Sequence, residues 1–286
     1  LRFNGGLHRS SPLRSVRVAA LLCLSLAACG DGAGNGNSNG SKAGGSIASP
    51  LRPTTADSLS CPTGTTLEGA DVSYYDGTID WAALKASGRT FAIARVADGS
   101  TYVDPTFATN WAAMKTNGFV RGAYQFFRAD EPAAAQASLL LATMGPLDPD
   151  DLPPTLDLEI ADSESAAVIV QRAQEWLAIV RAGTGREPII YTEPGFWNYE
   201  SGFPSLAWLG TLWIANWQVS CPTLATGFTS WQFWQYDDKG TAPGLGSDDA
   251  DLDRFNGTLD DLHALAAKST LRPGPIATVG EAWGQP

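Results

Sequence analysis

Pro153-Pro154-Thr155-Leu156-Asp157-Leu158-Glu159-Ile160 is the stretch on which the reading of this chain turns. Two prolines set the entry to a short strand, and acidic and apolar residues then alternate. Successive side chains on a strand point to opposite faces, so Asp157 and Glu159 share one face while Leu156, Leu158 and Ile160 share the other. A rise of roughly 3.3 Å per residue puts the two acidic Cα atoms about 6.6 Å apart. Carboxyl groups this close, on a strand whose other face is apolar, repel each other and titrate unequally. One then keeps its proton while the other stays charged. Cleavage of a glycosidic bond needs that division of labour. A solvated strand edge with two unrelated acids is the alternative, and the rest of the chain has to decide between them.

Seven further strand-like runs flank this one: Gly69 to Ser73, Thr90 to Val96, Val120 to Phe127, Pro188 to Thr192, Thr211 to Asn216, Trp231 to Tyr236 and Asp251 to Phe255. Helical patterns separate the first five strands. Ile79 to Ala86 has Asp80 near its start, and Pro105 to Thr116 has Asp104 as its expected N-cap and Gly118 as its stop. Glu131 to Met144 is rich in Ala and Leu. Ser163 to Ala182, capped by Asp162 or Ser163 and ended by Gly183, is the longest. Alternation of this kind predicts a parallel sheet. Helical pattern is missing between the last three strands, and turn residues dominate there. The expected fold is α/β: an irregular single-domain β/α barrel, TIM-like, with a helix-poor last third. No internal repeat is present.

In a β/α barrel the carboxyl ends of the strands meet around one mouth, and catalytic residues from several strands converge there. Acids stand at such places. Asp71 lies in the first strand, Asp157 and Glu159 in the fourth, and Asp251 opens the last. First and last strands are neighbours in a closed barrel, so these four acids can line one cleft. Asp71 also reads as a turn acid, and Asp251 has Asp248, Asp249 and Asp253 crowding beside it. The chain carries ten Trp and seven Tyr, and aromatic faces stack on the C–H faces of sugar rings. Many of these residues sit late, among them Trp197, Trp208, Trp217 and Trp231. Tyr124, Tyr191 and Trp234, each near a strand's carboxyl end beside polar partners, are the first candidates for the cleft, with Trp213 and Tyr236 next to them in the pattern.

Composition narrows the chemistry. Arg9, Arg14 and Arg17 precede the apolar run Val18 to Ala28, too short for a stable membrane span. The run ends in Leu26-Ala27-Ala28-Cys29, which resembles the lipobox of bacterial lipoproteins. By that resemblance residues 1–28 are a signal peptide and Cys29 becomes a lipid-bearing first residue; an ordinary secretory signal is the alternative. Residues 29–60 follow as a Gly-, Ser- and Asn-rich tether, too polar to offset its ordering entropy. The catalytic domain is expected over 61–269, long enough for one full core, and the Pro- and Gly-rich residues 270–286 as a disordered tail. Residues 1–28 hold Arg2, Arg9, Arg14 and Arg17 and no acid, so their loss takes the balance from 19 − 30 = −11 to 15 − 30 = −15. A chain so acidic is a poor ligand for nucleic acid.

Of the two histidines, His8 leaves with the signal and His263 lies in the C-terminal helical stretch. Ser-His-Asp triads, Cys-His peptidases and H-E-x-x-H zinc sites all need histidine at the chemistry, whereas carboxylate chemistry does not. No metal or cofactor is called for. With Cys23 in the signal and Cys29 lipidated, Cys61 and Cys221 remain as a pair in an exported protein, and a disulfide is the natural reading. Two free thiols are the alternative.

The blocks Asp71-Val72-Ser73, Ile79-Asp80-Trp81, Phe91-Ala92-Ile93-Ala94-Arg95 and Asp98-Gly99 resemble the opening of glycoside hydrolase family 25, the lysozyme-type muramidases. The resemblance continues through Gly122-Ala123-Tyr124-Gln125-Phe126-Phe127, Leu156-Asp157-Leu158-Glu159, Ile190-Tyr191-Thr192, Leu212-Trp213-Ile214-Ala215, Trp234-Gln235-Tyr236 and Asp251-Leu252-Asp253-Arg254-Phe255. It spans Leu67 to Leu265, with every block in family order. It implies cleavage of the β-1,4 bond between N-acetylmuramic acid and N-acetylglucosamine in peptidoglycan. Carried over by position, Glu159 is the general acid and Asp157 its charged partner, while Asp71 and Asp251 are further acids at the mouth. Gln125 stands where the family often has His, and Asp253 where it often has Asn, which adds negative charge near the cleft.

The resulting expectation is an exported lipoprotein, anchored to a membrane through Cys29, acting as a monomer on peptidoglycan glycan strands by a retaining mechanism. A non-catalytic wall-binding lipoprotein is the main rival, and a glycosidase for another N-acetylated polysaccharide the second.

Overall fold

The computed structural model describes residues 59–200, 210–246 and 248–267. The expected signal segment, Cys29, nearly all of the tether, Trp208 and the tail lie outside the described residues. Among the described residues there are nine strands: β1 (Thr66–Val72), β2 (Phe91–Asp98), β3 (Tyr102–Val103), β4 (Val120–Phe126), β5 (Thr155–Asp157), β6 (Ile189–Thr192), β7 (Thr211–Ala215), β8 (Phe233–Gly240) and β9 (Ala250–Asn256). The same residues hold five α-helices: α1 (Trp81–Ala86), α2 (Phe107–Thr116), α3 (Ala133–Met144), α4 (Ala166–Thr184) and α5 (Leu259–Ala267).

The sheet runs β1-β9-β8-β7-β6-β5-β4-β2-β3, and a further β1–β2 pairing closes it into a barrel of eight strands with β3 left outside the ring. All eight expected strands are present, the fourth shortened to end at Asp157 so that Glu159 lies beyond it, and the last third lacks α-helices between its strands among the described residues. Besides the short β3, antiparallel to β2 outside the ring, the expectation of a parallel sheet needs correction at one place within the barrel. β9 runs antiparallel to both β1 and β8. Its connection from β8, residues 241–249, is shorter than the dozen or more residues that a parallel crossover requires. The reversal matters for the site, because it puts the first residues of β9 at the mouth formed by the carboxyl ends of the other strands.

Two apolar layers follow from the alternation along the strands. Phe91, Ile93, Val120, Ile189, Phe233 and Phe255 fill the barrel interior, closed below by Leu262 and Leu265 of α5. Gly69 makes room for this packing, since a Cβ there would sit 2.4 Å from the Phe91 ring. The opposite strand faces carry Ala92, Ala94, Leu156, Ile190 and Leu212, and the helices cover them with residues such as Leu140, Trp176 and Leu177.

The start expected for α4 moves from Ser163 to Ala166, and its stop from Gly183 to Gly185. Asp162 and Ser163 take positive φ, with Asp162 Oδ2 accepting from Ala129 N at 2.8 Å, and Ser165 is the N-cap. Gly183 lies inside the helix, pressed against Leu141 of α3, and the left-handed residue that ends the helix is Gly185 at φ 67°. Cys61 and Cys221 form a disulfide with Cα atoms 4.6 Å apart. Beside it Ser60 N donates to Pro222 O at 3.0 Å and Trp231 Nε1 to Ser60 O at 2.7 Å.

Candidate active site

The strand ends bring the four expected acids to one place. Asp71 lies at the end of β1, directly opposite Asp251 at the start of β9. Asp157 closes β5, paired with Phe126 of β4 and Tyr191 of β6, and Glu159 follows two residues beyond. Asp71 and Asp157 are buried, at 5% and 6% exposure, while Glu159 and Asp251 keep part of their surface in water. The charge of Asp71 bears on each of the other three.

A hydrogen-bonded floor supports them. Gln235 of β8 is buried and donates through Nε2 to Asp71 Oδ2 at 2.7 Å. Its Oε1 accepts from Tyr191 OH at 3.0 Å and from Trp217 Nε1 at 2.8 Å. Two donors on one side and a carboxyl on the other fix which way the amide points. Trp213 of β7 packs edge-on against Tyr191 at 4.8 Å and Tyr124 at 6.4 Å between ring centroids, and its Nε1 donates to Asp253 Oδ1 at 2.8 Å. Tyr124, Tyr191 and Trp213 therefore gather beside the acids.

Burial in this ring of acids pushes every one of the carboxyls upward. Desolvation raises Glu159 to about 7, with the charge of Glu193 adding to it. Asp71 also lies at about 7, where burial outweighs the hydrogen bond from Gln235. Burial and then the charge of Asp71 take Asp251 to about 9. Asp157 is raised well above the usual carboxylate range by burial and by Glu159. The sequence predicts a charged Asp157 beside a protonated Glu159; in the resting site burial pushes both toward the neutral form. Asp253, expected to add negative charge, is likewise pushed well above the ordinary range by burial and by Asp71.

Three aromatic and amide positions lie elsewhere. β8 alternates, so Phe233 and Gln235 face the barrel interior while Trp234 and Tyr236 face out. Trp234 Nε1 donates to Asn216 O at 2.8 Å and its ring packs on Trp231 at 5.7 Å. Tyr236 OH donates to Glu68 Oε2 at 2.8 Å, under the Arg254 guanidinium at 4.0 Å. Gln125 also points outward, where Oε1 accepts from Trp176 Nε1 of α4 at 2.7 Å and Nε2 donates to Gly99 O at 2.9 Å. Its difference from His thus bears on the helix packing and not on the cleft.

The structure adds a feature that the sequence reading passed over. Tyr74 and Tyr75 follow the end of β1, and Tyr102 stands on β3, the outgrowth from the end of β2. Their exposures are 36%, 66% and 42%, and the first two rings lie 4.0 Å apart. Arg95 sits among them, its guanidinium 5.1, 5.3 and 6.0 Å from the three ring centres. Asp104 Oδ2 holds Arg95 Nε at 3.0 Å and also accepts from Tyr74 N at 3.0 Å. Asp104, expected as the N-cap of α2, spends one oxygen on this clamp and the other on Thr106, which is the N-cap residue. The signal was the pair Tyr74-Tyr75 immediately after Asp71-Val72-Ser73: a strand ending at the mouth must put its next residues on the rim.

Comparison with known proteins points the same way. The family described as "Glycosyl hydrolases family 25" matches residues 70–245. The chain is similar to lysozyme M1 of Streptomyces globisporus, 35% identical over 210 residues that cover 70% of this chain and 71% of that protein. It is 32% identical to the N,O-diacetylmuramidase of Chalaropsis sp over 216 residues, 70% of this chain and 99% of the relative. Among solved structures, the bacterial lysozyme from Streptomyces coelicolor superposes with a TM-score of 0.67 at 33% identity, covering 71% and 98% of the two chains.

Proposed function

Because the chain belongs to glycosyl hydrolase family 25 and is a glycosidase, we propose that it cleaves the β-1,4 bond between N-acetylmuramic acid and N-acetylglucosamine in peptidoglycan, with Glu159 as general acid. The observation that carries this reading is the meeting of Asp71, Asp157, Glu159 and Asp251 at one mouth. Glu159, held at about 7, keeps its proton into the neutral range and has solvent access, as an acid protonating a leaving oxygen must.

Asp157 is the partner. An acetamido N–H brought to this carboxyl favours its ionised form, since hydrogen bonds to a charged group stabilise it. So ionised, it either orients the substrate's acetamido group as an internal nucleophile or stabilises the oxocarbenium-like transition state. Both carboxyls come from one strand end, which supports retention over inversion, because inversion needs space for a water between them. Tyr124, Tyr191 and Trp213 form the floor, and the exposed Tyr74, Tyr75 and Tyr102 give sugar rings a face to stack on beside the acids.

Digestion of purified peptidoglycan, followed by mass spectrometry of borohydride-reduced fragments, tests this function. Fragments ending in reduced N-acetylmuramic acid support it. Retained binding to wall material without any fragments would replace it with a non-catalytic wall-binding role. We further infer export and a lipid anchor at Cys29 from the lipobox-like Leu26-Ala27-Ala28-Cys29. Metabolic labelling with a fatty acid should mark the wild type and not Cys29→Ser; equal labelling of both removes the anchor from the reading.

A further inference from the structure

Asp253 occupies a place that the proposed reaction leaves unexplained. It is fully buried. On β9 it lies opposite Gly69 of β1 and Gln235 of β8, on the face turned to the barrel interior. Its Oδ1 is taken by the Trp213 indole at 2.8 Å. Its Oδ2 is shut off from solvent and receives no hydrogen bond, while the carboxyl of Asp71 stands within hydrogen-bond reach.

Two carboxylates in contact in a dry interior repel each other, and a buried oxygen without a donor adds its own desolvation cost. One proton on Oδ2 removes both faults. It turns the unpartnered atom into a donor and Asp71 into its acceptor. The ionisable groups that face Asp253 are Asp71 from β1 and Asp251 from its own strand, both acids; Trp213 of β7 and Gln235 of β8 are neutral. Nothing in that set favours a second negative charge.

We propose that Asp253 is a positioning residue that stays a neutral carboxylic acid and donates a hydrogen bond to Asp71, which it and Gln235 together hold toward the cleft. The role rests on the hydrolase reading only for what Asp71 then does; the protonation of Asp253 does not depend on it. The two donors keep Asp71 ionised to lower pH than burial alone would allow, as the opposing effects on Asp71 require. The sequence shows an acid where an amide is common in the family, and the geometry gives that acid an amide's two capacities: Oδ1 accepts and Oδ2 donates.

The test has one arm that needs no substrate. The infrared difference between wild type and Asp253→Asn at neutral pH should contain a protonated-carboxyl carbonyl band that the variant lacks. The second arm is kinetic. Asp253→Val, which removes donor and acceptor, should lower kcat/KM about tenfold or more and move the Asp71-governed limb of the pH profile to higher pH. Asp253→Asn can accept from Trp213 and donate to Asp71, so it should rescue most of that loss and return the limb. An ionised Asp253 predicts the opposite sign for Asn, because removing a charge beside Asp71 would move the limb to lower pH. That shift, or the absence of the carboxyl band, overturns the proposal. Circular dichroism of both variants identifies misfolding, and if the Val variant fails to fold, the Asn and infrared arms decide. Glycan left intact by the wild type would sink the hydrolase reading while the infrared result still stands.

Discussion

Replacing Glu159 by Gln should do two opposite things at once: abolish hydrolysis and stabilise the fold in alkaline solution. On folding, the Glu159 carboxyl moves from 4.5 to about 7, first through desolvation and then through Glu193. A carboxyl raised in the folded state binds its proton more tightly there than in the unfolded chain. Stability is therefore whole below pH 4.5, falls as pH rises toward 7, and is reduced by a constant amount above it. The gap of 2.5, at about 1.36 kcal/mol for each unit, limits the penalty to about 3 kcal/mol. Glu159 keeps part of its surface in water, so screening reduces this to about 1–2 kcal/mol. In a domain of this size that corresponds to a Tm difference of about 3–6 °C. Gln carries no charge at any of these pH values. Urea unfolding of both proteins should give nearly equal stabilities at pH 5 and a more stable Gln variant at pH 8. Release of reducing ends from peptidoglycan, measured on the same samples, should be lost in the variant. A stability gap of equal size at both pH values would show that ionisation is not its cause. Wild-type turnover by the variant would remove Glu159 as the acid.

Other consequences follow from the geometry. The disulfide closes a sequence separation of 160, so Cys221→Ser should cost up to about 5 kcal/mol in denaturant melts, while the reduced wild type should match the variant; unchanged melting would mean the loop is held by other contacts. Tyr75→Ala, which removes the most exposed ring of the rim, should raise KM on long glycan strands several-fold with little change in kcat, and Tyr236→Phe, on the outer face under Arg254, should leave KM alone. Equal effects from the two would disprove the division between rim and outer face.

What the sequence disclosed, and what it withheld, divides along one physical line. Alternation is a local property, and it marked the strands and put Asp157 beside Glu159 without any knowledge of the neighbours. Strand direction is not local: Ala250–Asn256 alternates identically whichever way it runs, and only the short link after β8 betrays the reversal. The face that each residue takes needs a phase as well as a period. Trp234-Gln235-Tyr236 drew attention through its aromatic rings, yet the hydrogen bond from Gln235 to Asp71 sets the phase that turns both rings away from the cleft. A helix stop needs the same kind of outside information, since Gly183 and Gly185 are equivalent until Leu141 packs against the first. The protonation of the site is the most remote property of all. No single residue predicts it, because a carboxyl facing water and one facing three other carboxyls are the same letter. Only the closed ring of strands, by bringing Asp71, Asp251 and Asp253 together across β1 and β9, raises these carboxyls above their ordinary range. The chemistry of this mouth is thus a property of the barrel's closure, and a substitution that loosened the β1–β9 pairing would alter the pH profile without touching an acid.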